Sequence, residues 1–153
     1  IWDCSTAGNV PQVVYSQLIA DGEHRYRYAR YEDGQWHDAL LCHGGQHMVS
    51  GRSSERYYSG GVVLDHDEPG VCYASVGSHE SSALARFERE QTGWHMEYIT
   101  EADKQNIRPM VPWNSHPEIR ICWLRGTYLD GVPRSRYSGG GAGWWTEVVG
   151  DSL

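Results

Sequence analysis

The sequence predicts an all-β chain: three four-stranded antiparallel blades of a β-propeller, incomplete within its 153 residues. Three observations lead there. Two independent anchors recur along the chain at one common spacing. Each repeat has room for four short strands of period-two alternation, and no segment carries a helical face. Three blades are also too few to close a ring, which takes typically four to eight.

The first anchor is Val13-Val14-Tyr15-Ser16, matched by Val71-Cys72-Tyr73-Ala74 and then by Ile121-Cys122-Trp123-Leu124, at steps of 58 and 50 residues. The second is Trp36, Trp94 and Trp144, at the same steps. Each Trp follows a Gly-containing turn. Between the anchors runs an Arg/aromatic alternation: Arg25 to Tyr31, Arg86-Phe87 and Arg134 to Tyr137. A fixed period of this length marks a repeat architecture. The first blade, 1–42, is expected to hold strands at Ile1 to Ser5, Pro11 to Ser16, Tyr26 to Tyr31 and Trp36 to Cys42. In the second, 58–100, they fall at Ser59 to Asp65, Val71 to Ser75, Leu84 to Arg89 and Trp94 to Ile99. In the third, 106–150, they fall at Ile107 to Trp113, Ile119 to Arg125, Arg134 to Ser138 and Trp144 to Val149. An open arc of three blades would show an apolar face at each end, so another chain or a missing segment is expected to complete the ring. A compact three-blade prism or a sandwich is the structural alternative.

Composition narrows the function classes. Thirteen cationic against 20 acidic residues give a net charge of -7, and only Lys104 among the cations is not Arg. Without a basic patch no nucleic-acid partner is expected. No run approaches the length of a membrane span and no signal segment opens the chain, so no membrane partner is expected either. Beginning at Ile1 rather than Met, the chain reads as a fragment or processed product. Seven Trp and ten Tyr stand against one Phe; flat rings with polar tips suit half-wet strand faces and sugar-binding surfaces.

Blade connectivity sorts the loops into two sets. One set is short and made of turn residues: Ala7-Gly8-Asn9, Asp33-Gly34, Glu68-Pro69-Gly70 and Asn114-Ser115. These are structural turns. The other is long and polar, and gathers His24, His43, His47, Arg52, Arg56, Tyr57, Tyr58, His79, Lys104 and Tyr128 on one rim. Such a rim is where function is expected. Cys42-His43-Gly44-Gly45-Gln46-His47 puts a thiol and two imidazoles within six residues, a set that zinc accepts, though the spacing fits no standard zinc motif. Asp65-His66-Asp67-Glu68 suggests calcium less well than it suggests a turn before Pro69-Gly70. No cofactor is therefore expected, with zinc and calcium as the candidates. Cys72 and Cys122, at matching repeat positions, read as small core residues, and no disulfide framework is expected.

Four stretches carry a family likeness: His24 to Tyr31, Tyr58 to Asp67, Asn106 to Pro112, and Trp123 to Tyr128. In that order they resemble bacterial BNR-4 repeat proteins, a group that includes seven-bladed lyases of ulvan and related uronate-bearing polysaccharides. The resemblance implies the last three blades of a seven-bladed, secreted or periplasmic protein with an acidic polysaccharide or oligosaccharide as partner. It implies β-elimination, with Tyr58 as acid/base, His24 as base or substrate contact, Arg56 or Arg25 on the uronate carboxylate, and Tyr57, His79 and Tyr128 lining the cleft. Histidine suits the base because its pKa lies near neutrality. The chain departs from the family in two places. The Asp-box turn survives only as Asp33-Gly34-Gln35-Trp36 and Gln91-Thr92-Gly93-Trp94, and Val76 stands where relatives carry an Arg. The alternatives are a non-catalytic glycan-binding or scaffold propeller and a glycoside hydrolase, which would need a facing carboxylate pair that the rim does not show.

Overall fold

The alternating strands and punctuating Gly, Pro and Asp residues fold as three antiparallel meanders. In a computed structural model that describes residues 1–19, 23–46, 60–77, 81–113, 119–128 and 144–151, the chain is all-β apart from a single 3₁₀ turn at Ala7–Asn9. The first sheet runs β1 (Asp3–Ser5), β2 (Gln12–Leu18), β3 (Glu23–Glu32), β4 (Gln35–Gln46). The second runs β5 (Val62–Leu64), β6 (Val71–Gly77), β7 (Ser82–Glu90), β8 (Gly93–Tyr98). The third has the order β9 (Gln105–Met110), β10 (Ile121–Tyr128), β11 (Trp144–Asp151).

Local chemistry sets the turns. Asp33 and Gly34 both have positive φ, 52° and 81°, the demand of a type I′ hairpin whose twist matches the flanking strands. Pro69-Gly70 forms a turn closed by Val71 N–H on Glu68 O (3.2 Å), with Gly70 at φ 82° as a type II turn requires. Asp65 Oδ1 accepts the Asp67 and Glu68 backbone N–H groups, both at 2.9 Å, so the acidic run is a side-chain-capped turn.

The sheets stack face to face with the second in the middle. Val14, Tyr26, Tyr28 and Leu41 of the first sheet pack on Val62, Leu64, Cys72, Ala74, Ala85 and Phe87 of the second. The second sheet's other face, with Val63, Val71, Tyr73 and Leu84, packs on Ile121 and Trp123 of the third. Covered on both sides, β6 is buried from Val71 through Ser75 without alternation.

Three expectations are corrected. Trp144–Asp151 does not form a fourth strand: it pairs directly with β10 along eight registered positions, the place that β3 and β7 hold in their sheets. A ladder of that length satisfies more backbone than the five residues Arg134 to Ser138, which lie outside the described residues. The Val14/Cys72/Cys122 equivalence also fails. Val14 faces the second sheet, Cys72 faces back to the first, and Cys122, half-buried, lies on the third sheet's far side from Ile121 and Trp123. Val14 pairs with Tyr28 whereas Tyr73 pairs with Arg86, so the second strands are offset by one residue from the assumed alignment, and one residue inverts the facing. Finally, the outer face of the first sheet is not uniformly apolar: exposed Tyr31, Trp36 and Leu40 surround a polar centre. Arg27 Nε and Nη2 reach Asp38 Oδ2 (2.9 and 2.6 Å), Arg27 Nη1 reaches Gln17 Oε1 (3.4 Å), and Tyr15 OH donates to Asp38 Oδ1 (3.1 Å). Among the described residues, the third sheet's outer face carries Cys122, Leu124 and exposed Met110.

Candidate functional site

The first strands of the three sheets meet along one edge of the stack, and Gly60-Gly61 lies at the junction. Gly61 N–H donates to Tyr26 OH (2.6 Å), Ser75 N–H to Gly61 O (3.0 Å), and Arg108 N–H to Gly60 O (2.5 Å). A methyl group at Gly60 would lie 2.1 Å from Ser75 Oγ, and Gly61 has φ 110°, so both positions demand glycine. Around Gly61 stand the Trp2 ring, at 3.5 Å from the position a Cβ would take, and Pro109 at 3.3 Å. The Arg108 guanidinium carbon lies 5.7 Å from the centroid of the Trp2 ring, within cation–π range. Arg108 is exposed and has φ 57° immediately before a proline. That conformation is disfavoured for a residue with a side chain. Backbone held off its preferred region clusters at functional sites.

His24 lies on the first sheet's face toward the second, on the same side of β3 as Tyr26 and Tyr28, and is 7% exposed. Arg25, the next residue, projects to the opposite face, where it stands across from His43. The structure therefore separates His24 from Arg25, because successive side chains of a strand point to opposite faces. The same rule divides the zinc candidates. Cys42 packs into the core beside Tyr26, with burial pushing its thiol up to about 12, while His43 is exposed on the outer face. Among the described residues no three His, Cys, Asp or Glu side chains gather as a metal site. Tyr57, Tyr58, Arg56, His47 and His79 lie outside the described residues, as does the side chain of Tyr128, whose backbone closes β10. Val76, half-buried, packs against the core between the first two sheets.

A cleft of about 480 Å³ opens between sheets two and three and is lined by Glu68, Tyr73, Arg86, Glu97, Tyr98, Ile99 and Arg120. Its floor is a clamp. Asp65, 1% exposed, accepts from Tyr73 OH (3.0 Å) and Arg120 Nε (3.0 Å), and Arg120 Nη2 also meets Glu68 Oε1 (2.6 Å). Burial alone would raise the Asp65 carboxyl, but the bonds from Arg120, the two turn N–H groups and Tyr73 outweigh it and hold the group below its ordinary value. Burial and the neighbouring Asp65 push the Tyr73 phenol up. The cations here are already paired, so the cluster is a strut between sheets.

Arg108, Trp2 and Arg120 are the residues that sequence reading missed, and Asp65 was read as a turn residue without its partners Arg120 and Tyr73. An Arg directly before Pro in Asn106-Ile107-Arg108-Pro109 was the available signal for one of them. Nothing in the sequence marked Trp2 as its partner, since β5 lies against both β1 and β9 and brings distant parts of the chain together. The chain matches no family model, no curated protein and no solved structure.

Proposed function

We propose that the three sheets are blades of a β-propeller in a carbohydrate-active protein, and that its rim takes uronate-bearing polysaccharide and cleaves it by β-elimination. The stacking of meanders with their first strands together along one edge supports this reading, since blades of a propeller repeat radially in that way. The observation that carries the reading is the placement of His24. Its imidazole sits on the buried inter-sheet face, one side-chain step along β3 from Tyr26, and Tyr26 OH holds Gly61, three residues after Tyr58 in the chain. His24 is the candidate base that takes the C5 proton of the uronate. The electron pair forms the C4=C5 double bond, the C4–O bond breaks, and Tyr58 returns a proton to the departing oxygen. Arg25, the candidate for the uronate carboxylate, lies on the opposite face of β3 from His24.

The test is incubation with a panel of uronate polysaccharides, following the ultraviolet absorbance of the unsaturated uronate and the product masses. Elimination gives fragments whose masses sum to the parent; hydrolysis adds one water per cut. His24→Gln is expected to lose the absorbance signal while keeping its strand signature by circular dichroism. Undiminished cleavage by that variant would remove His24 from the reaction. A second reading, glycan binding without cleavage, is favoured by Val76, an apolar side chain where the resemblance calls for a carboxylate-neutralising Arg. Retained glycan binding with no unsaturated product from the unaltered protein would decide for it.

A further inference from the structure

We propose that the cleft between the second and third sheets is a binding site for an uncharged polyol, a neutral sugar residue, held between the Arg86 and Arg120 guanidiniums and the Glu68 and Glu97 carboxylates. It stands apart from the uronate reading above, since His24 lies on the face between the first and second sheets and this cleft opens on the other side of the second.

Strand register builds one wall. Tyr73 pairs with Arg86 and Arg86 with Glu97, so the three form a row across β6, β7 and β8. Tyr73 packs toward the third sheet, and directly opposed residues share a face, so Arg86 and Glu97 stand on that face too. Neighbouring strands lie about 4.8 Å apart, which sets a guanidinium and a carboxylate side by side within reach of hydroxyls on one sugar ring. Ile99, two residues beyond Glu97, adds an apolar border, and Arg120, just ahead of β10, and Glu68, in the β5–β6 turn, complete the lining. The enclosed space, about 480 Å³, is of the size that small-molecule sites take.

Charge decides the ligand class. The two guanidiniums and two carboxylates of the lining cancel, and Asp65 and Glu88, bound to Arg120 and Arg86, tip the neighbourhood negative. That surplus repels an anion such as uronate, while a cation meets two guanidiniums in the lining itself. A hydroxyl both donates and accepts, so it matches donors and acceptors set side by side. Arg120 spends Nε on Asp65 and Nη2 on Glu68, and Arg86 spends Nη1 on Glu88 and Nη2 on Glu68. With five N–H donors on each guanidinium, some remain for a ligand, and the ion pairs hold them in place before it arrives. Glu97 is exposed and makes no hydrogen bond or ion pair among the described residues, which leaves its carboxylate to accept from the ligand.

The experiment titrates neutral gluco-, galacto-, manno- and xylo-oligosaccharides into the unaltered chain, Glu97→Ala and Glu97→Gln by calorimetry, with thermal unfolding and uronate cleavage measured alongside. The unaltered chain is expected to bind at least one neutral oligosaccharide. E97A should weaken that binding at least tenfold and E97Q severalfold, because a hydrogen bond to a carboxylate is stronger than one to an amide. Neither variant should move Tm, since the side chain they alter is exposed and unpaired. Neutral binding kept intact in E97A, or in E97Q should E97A fail to fold, overturns the assignment, as does the absence of neutral binding by the unaltered chain; the uronate reading stands in each case. Uronate cleavage should be the same in all three chains, and its loss in E97A would join the cleft to the uronate site and overturn its assignment to an uncharged ligand.

Discussion

Replacing Asp65 with Ala tests what joins the second sheet to the third. The side chain is buried and accepts four donors: Tyr73 OH, Arg120 Nε, and the Asp67 and Glu68 N–H groups. Removing one partner of a fully buried ion pair costs about 3–5 kcal/mol. Arg120 is 29% exposed and keeps Glu68, so its share is well below that range. The Tyr73 hydroxyl loses its acceptor inside the core, at about 1–3 kcal/mol, and the two turn N–H groups can turn to water. The sum is about 3 kcal/mol, or about 6–12 °C in Tm for a chain of this size. Urea and thermal unfolding by circular dichroism measure it. Tyr73→Phe sharpens the test: alone it should cost about 1 kcal/mol, yet in the Asp65→Ala background it should be neutral or stabilising, because it removes the orphaned hydroxyl. The pH dependence has a definite sign. The folded carboxyl titrates below its ordinary 3.8, so its contribution is present above that pH and is lost as pH falls through the folded pKa. The two stability curves should therefore converge in acid. A Tm change under about 1 °C, or curves that stay parallel to low pH, would refute the reasoning.

Asn106 is buried and satisfied on every side: Nδ2 donates to Ser82 O (2.6 Å), Oδ1 accepts Trp123 Nε1–H (3.0 Å), and its N–H reaches Ser82 Oγ (2.9 Å). Asn106→Ala should cost about 2–4 kcal/mol in urea unfolding by orphaning the indole and opening a void; a loss under about 0.5 kcal/mol would contradict this. Gly44 lies against the Tyr26 ring, where an added Cβ would be 3.0 Å from Cε1, so Gly44→Ala is expected to lose about 1–3 kcal/mol through overpacking, and an unchanged Tm would argue otherwise. Thiol labelling at neutral pH should modify exposed Cys4 first and leave Cys72 unreacted until the chain unfolds, with Cys42 slow because burial holds it as a thiol; fast labelling of Cys42 would overturn its placement.

The sequence by itself determined the strands of the first two sheets and the turns at Asp33-Gly34 and Pro69-Gly70. Alternation, Asp33-Gly34 and Pro69-Gly70 act between near neighbours, so they are legible without knowing what packs where. It also placed the second strand of every sheet correctly, at Val14, Tyr73 and Trp123, although not the direction those side chains face. Facing changes with one residue of loop length, and β2 and β3 are joined by a loop one residue longer than β6 and β7. Only tertiary structure fixed it. Trp36, Trp94 and Trp144 each stand 22 residues after their anchor, yet the last opens a third strand and the others a fourth, because pairing follows the ladder available rather than the spacing. The candidate site divides the same way. His24 was legible as a titratable residue at the loop end of a strand. Its separation from Arg25, the opposed facing of Cys42 and His43, and the approach of Arg108 to Trp2 were not, for each depends on which sheet covers which face and on three first strands converging from distant parts of the chain.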